Sequence, residues 1–129
     1  MRDLARLFAL VIGIVFLLVG VLGFLLNPSG GELLGIFAVN VVHNLIHVVV
    51  GVLGIAAAYT GRSRLFAQGL GIVYLLVGIL GLIPGLAPDG MLLGLVHINM
   101  ADNLLHLVVG ALSALVGFTT IGQTQTRVA

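Results

Sequence analysis

Asn40-Val41-Val42-His43-Asn44-Leu45-Ile46-His47 is a polar stripe inside an apolar run, and it recurs 59 residues later as Asn99-Met100-Ala101-Asp102-Asn103-Leu104-Leu105-His106. The shared pattern is N-x-x-[H/D]-N-x-x-H. On a helix the offsets 0, 3, 4 and 7 fall on one face. Each copy therefore reads as an apolar helix carrying a single polar edge. A strand would scatter the same residues over two faces.

What surrounds the stripes decides their solvent. The chain has 129 residues, of which 60% are hydrophobic and 7% charged, with a mean hydropathy of +1.31. Soluble domains carry about 25% charged residues, so this composition cannot cover a water-facing surface. Spans are expected at about 7–26, 40–59, 65–83 and 99–118, each close to the roughly 20 residues that cross the hydrocarbon as a helix. The apolar runs are continuous rather than alternating in ten-residue units, which excludes a barrel. The first run is longer than a signal h-region and ends in Asn27-Pro28-Ser29-Gly30-Gly31, a turn and not a cleavage signature, so it reads as a retained span. Leu33 to Val39 and Met91 to Ile98 read as short interfacial segments or as the mouths of the following spans.

The halves align with each other. Arg6–Gly23 matches Arg64–Gly81 at 13 of 18 positions, and Leu33–Gly51 matches Leu92–Gly110 at 10 of 19. The expected fold is all-α: one integral membrane domain over 1–129, a four-helix bundle of two tandem two-helix repeats (about 4–60 and 62–119) related by a parallel pseudo-two-fold. Ala9 with Gly13 and Ala67 with Gly71 are small-xxx-small pairs for close helix packing, and Gly51 and Gly110 lie one turn beyond the second histidine of each stripe. Arg2, Arg6, Arg62, Arg64 and Arg127 all fall in the segments on one side, while Glu32 and Asp89 fall in the other two loops. By the positive-inside rule both termini are expected to be cytoplasmic, with the stripes in the outer half of the bilayer.

The residues Leu33-Leu34-Gly35-Ile36-Phe37, Asn40, His43-Asn44-Leu45-Ile46-His47 and Gly51 resemble the DUF4383 family of small four-helix bacterial membrane proteins, a domain of unknown function. The likeness continues through Arg64-Leu65-Phe66, Gly71-Ile72-Val73-Tyr74-Leu75, Gly81-Leu82-Ile83-Pro84-Gly85, Asp102 and Leu105-His106. The resemblance implies four transmembrane helices and a bacterial cell (inner) membrane, and it implies no activity, substrate or cofactor.

The stripes have several readings. Ionisable groups in a bilayer normally face the bundle interior, so His43, His47, Asp102 and His106 are expected to converge. Three imidazoles and one carboxylate suit a zinc, iron or copper ion, with Asn40, Asn44, Asn99 and Asn103 orienting the rings from behind. A haem b held by His47 and His106, with Gly51 and Gly110 leaving room for the macrocycle, is a further reading. Alternatively the stripe is interhelical hydrogen bonding in a structural or assembly-partner protein, or it passes protons or small solutes, or binds lipid or quinone. His97, whose counterpart is Ala38, breaks the symmetry near the outer interface. Met91 and Met100 are soft donors in the same region. No phosphate loop, nucleophile elbow or H-E-x-x-H is present, cysteine is absent, and the net charge of +1 carries no nucleic-acid footprint. The expected partners are the lipid bilayer and a membrane protein or a second copy of the chain. The sequence leans away from an enzyme.

Overall fold

The computed structural model describes residues 4–119. In chain order these form α1 (Leu4–Leu26), a hairpin of β1 (Gly31–Leu33) and β2 (Phe37–Val39), α2 (Val41–Thr60), α3 (Ser63–Leu82), a 3-10 turn (Pro88–Gly90), a hairpin of β3 (Met91–Leu92) and β4 (Val96–His97), and α4 (Met100–Phe118). All four helices are long and apolar enough to cross a membrane. Arg2, Asp3 and the tail from residue 120, Arg127 included, lie outside the described residues.

The helices bury small residues and turn large ones outward. The buried face of α1 is Ala5, Ala9, Gly13, Phe16, Gly20 and Gly23, whereas Leu18, Leu25, Leu76 and Leu112 are exposed. That distribution suits lipid. Burying leucine gains little where the surroundings are equally apolar, so close backbone approach becomes the stabilising term. The tightest packing is α1 on α2 and α3 on α4. A Cβ added to Gly13 would come within 2.7 Å of Ile55 N, and one added to Gly71 within 2.7 Å of Ala114 N. The two pairs then meet through Phe16, Leu70 and Tyr74, flanked by Phe8, Ile12 and Phe66.

The helix ends on the arginine side are closed by side chains. Arg64 Nε and Gln68 Nε2 each donate to the carbonyl of Gly117 at 2.9 Å, satisfying a C-terminal acceptor of α4. Gln68, the one polar interruption of the third apolar run, therefore serves as a cap. Arg6 stands 6.0 Å from the ring centre of Tyr59, within cation–π range.

Of the two readings of the lead-ins to α2 and α4, the helix mouth does not hold: the helices begin only at Val41 and Met100. The lead-ins are two-stranded antiparallel hairpins, with Glu32 opposite Ala38 and Leu92 opposite Val96. Their turns need left-handed backbone at two successive residues, Leu34 and Gly35 in one and Leu93 and Gly94 in the other. Glycine supplies one position freely. Leucine at the other, with φ of 55° at Leu34 and 51° at Leu93, costs roughly 1–2 kcal/mol. Leu34→Gly is accordingly expected to strengthen its hairpin by about 1 kcal/mol once the unfolded-chain entropy of glycine is set against the relieved strain. Hydrogen exchange of the Ile36 amide, which donates to Leu33 O, should slow several-fold. Unchanged or faster exchange would refute the strain at Leu34.

Candidate metal centre

The N-terminal turns of α2 and α4 carry the stripe residues, and the structure gives them different duties. Asn40 and Asn99 are the N-caps. Asn40 Oδ1 accepts from His43 N at 2.9 Å, and Asn99 Oδ1 accepts from Asp102 N at 3.0 Å. Asparagine is a preferred cap because its side chain satisfies a free N–H of the first turn. Each also reaches across the molecule. Asn40 Nδ2 donates to Leu95 O at 3.0 Å, and Asn99 Nδ2 donates to Ile36 O at 2.8 Å. The cap of each helix thus holds the hairpin that leads into the other.

His43 and Asp102, three residues inside the caps, repeat the exchange with the polarity reversed. Asp102 Oδ2 accepts from Asn99 N at 2.9 Å, completing a capping box, and from Ala38 N of β2 at 3.0 Å. His43 Nδ1 lies 2.8 Å from His97 O of β4. A carbonyl only accepts, so the His43 proton sits on Nδ1 and the lone pair on Nε2. Ala38 and His97 occupy corresponding positions at the offset of 59. The carboxylate faces an N–H and the imidazole faces a carbonyl, which gives the His43/Asp102 difference a physical basis. His97 itself contacts Val39 O through Nδ1 at 3.3 Å.

Asn44 and Asn103 point at the neighbouring helices. Asn103 Nδ2 donates to Gly81 O at 3.1 Å. Asn44, fully buried, fills the notch left by Gly23, and its side-chain amide has no hydrogen-bond partner. The four asparagines are thus engaged by backbone or seated in helix notches.

One ring nitrogen from each of His43, His47 and His106 lies within 4.8 Å of the others, and all three residues are buried. The ring centres of His43 and His47 are 4.5 Å apart, and those of His43 and His106 are 5.9 Å apart. Asp102, engaged by two backbone N–H groups, stands outside this triad. Beneath the triad lie two aromatics. Phe16 of α1 packs on His47 at 5.3 Å, Tyr74 of α3 packs edge-on against His106 at 5.2 Å, and the two are 5.5 Å from each other. The sequence offers Tyr74 only as a sparse aromatic; its single signal is the offset of 58 that aligns it with Phe16. Nδ1 of His47 and Nδ1 of His106 are buried without a hydrogen-bond partner. Leaving such a group unpaired costs about 1–3 kcal/mol.

The glycines beside the triad are occupied. A Cβ on Gly51 would lie 2.5 Å from Leu17 N, and one on Gly110 would lie 2.6 Å from Leu75 N. They admit the backbones of α1 and α3, so the room for a macrocycle expected there is already filled. The ring of His43 also stands close to both His47 and His106, where a porphyrin plane would have to pass.

The model of the family described as Domain of unknown function (DUF4383) matches residues 6–119. No curated protein and no solved structure matches the chain.

Proposed function

The chain belongs to the DUF4383 family, and from that premise we propose that this four-helix membrane protein binds one transition-metal ion through His43, His47 and His106. One observation carries the reading: two buried imidazole nitrogens lack partners inside a triad whose ligand atoms lie within 4.8 Å of one another. Nitrogens around one tetrahedral ion at about 2.0–2.1 Å from it are roughly 3.3 Å apart. Modest ring rotation closes the difference, and a bound ion relieves the unpaired atoms. The His43 Nδ1–H bond to a backbone carbonyl is the support usual behind a ligating imidazole, leaving Nε2 for the ion. Three imidazoles suit zinc, iron or copper. Met91, Met100 and Asp102 supply no further ligand in this reading. The chain's own part is to hold the ligands and exclude water.

A second reading applies to the outer part of the stripe. Asn40, Asn99 and Asp102 tie hairpins to helices, which is structural work, and this favours reading the two halves as copies that complete one another. The protein sits, in this proposal, in the bacterial inner membrane with both termini cytoplasmic. Arg6, Arg62 and Arg64 at one end and Glu32 and Asp89 at the other support that orientation.

Metal analysis of protein purified in detergent tests the central claim. Wild type should carry near-stoichiometric metal, or take up cobalt(II) with tetrahedral visible bands. His47→Ala and His106→Ala should lower affinity at least a hundredfold while keeping the helical circular dichroism. A wild type that stays folded and takes up no metal would sink the proposal.

A further inference from the structure

A cavity of about 200 Å³ adjoins the triad on one side. His43, His106 and Tyr74 form one wall, Ile46, Leu93 and Val96 are among the aliphatic side chains that form the rest, and the surface facing the cavity is almost wholly apolar. Ile46 of α2 and Leu93 of the second hairpin are also exposed on the surface of the molecule. The cavity thus leads from an apolar exterior to two of the three imidazoles.

The halves differ here. The position corresponding to Val96 is Phe37, and the one corresponding to Tyr74 is Phe16. Valine in place of phenylalanine removes most of an aromatic ring from the hairpin wall, on the side where the cavity lies. Apolar cavities of about 150 Å³ stay dry and accept xenon or benzene. An ion entering such a space would lose its hydration without compensation.

We propose that the open coordination position of the three-histidine site is reached through this cavity from the lipid phase, and that it takes a small uncharged molecule such as a diatomic gas in preference to an anion from water. This rests on the metal reading above and adds to it the class of ligand and the route. Three imidazoles leave the fourth position of a tetrahedral ion free. The cavity on His43 and His106 is the space into which that position opens. Nitric oxide and azide are both small against a space of about 200 Å³ and both bind transition metals, and they differ in charge, so they separate the apolar route from an aqueous one.

The test uses the full chain in lipid nanodiscs loaded with cobalt(II). Nitric oxide should change the cobalt spectrum rapidly and at one equivalent. Azide, at concentrations that saturate water-exposed cobalt sites, should leave the spectrum unchanged. Val96→Phe, which restores the residue of the other half, should keep its cobalt and bind nitric oxide at least tenfold more slowly. Should Val96→Phe lose cobalt, Ile46→Phe at the cavity mouth carries the same comparison. Cobalt binding with azide as effective as nitric oxide, or with an unchanged nitric oxide rate in the filled variant, would overturn the route and leave the metal reading standing. A wild type that takes up no cobalt overturns both.

Discussion

Gly51→Leu is expected to abolish the assembled bundle. The Cβ of any residue there would lie 2.5 Å from Leu17 N and 2.8 Å from both Gly13 O and Leu17 Cα. These are backbone atoms of α1, so no side chain can rotate out of the way. Relief requires α1 and α2 to move apart along the interface that also carries Gly13, Gly20 and Gly54. Overpacking a core usually costs about 1–3 kcal/mol. Here the cost recurs along the whole contact, because separating the helices also forfeits the close packing that drives association in lipid. Gly51→Ala should melt well below wild type, and Gly51→Leu should show no cooperative thermal transition in detergent while remaining helical. Gly110→Leu should do the same through Leu75 N, 2.6 Å from its Cβ position. Gly69, whose Cβ position has nothing within 4 Å, supplies the control: Gly69→Ala should be neutral. A Gly51→Leu protein that melts like wild type would contradict this packing.

Asp102→Ala and Asp102→Asn are expected to part company. One carboxylate oxygen accepts from both Asn99 N and Ala38 N. Alanine leaves both donors unpaired, at about 1–3 kcal/mol each, and removes half of a capping box. The expected loss is roughly 3–5 kcal/mol on that scale, a large share of the stability of a small domain. Asparagine can place its carbonyl oxygen where Oδ2 sits. It keeps both bonds and forfeits only their charge-assisted strength, about half of each. Denaturation by increasing SDS in mixed micelles should rank wild type above Asn and Asn well above Ala. Cobalt content measured on the same samples should be equal in wild type and Asp102→Asn. Loss of cobalt in the Asn variant, with stability retained, would make Asp102 a ligand after all.

The spacing of the stripes was enough to put His43, His47 and His106 on facing edges of buried helices, because helical periodicity and the cost of polar groups in lipid act on each residue locally. The four helices were legible for the same reason, and α2 and α4 begin within a residue of the expected spans. Asp102 shows where such reasoning stops. Its face was readable, but its engagement by Ala38 N depends on a hairpin 64 residues away in sequence. The hairpins themselves were hidden because their strands are two or three residues long and their turns place leucine where a turn normally places asparagine or glycine. Asn40 and Asn99 are ambiguous in the sequence for a related reason. A cap and a ligand-orienting side chain look alike in sequence, and only the carbonyls of Leu95 and Ile36 reveal what each reaches.

The exchanged caps also bear on how the chain is made. Asn40 bonds to a carbonyl 55 residues ahead of it, and Asn99 to one 63 residues behind. When α1 and α2 have left the ribosome and entered the bilayer, Leu95 and His97, 35 and 37 residues beyond the end of α2, have not yet emerged from it. His43 and the second donor of Asn40 must wait, partnerless, in or near the hydrocarbon. The first half is therefore an unfinished object for the several seconds that the remaining residues take to appear, at about 5–20 residues per second. Its polar edge has to be sheltered during that interval by water at the interface or by the insertion machinery. Closure of the bundle becomes a single late event, in which the arrival of the second hairpin completes both halves at once.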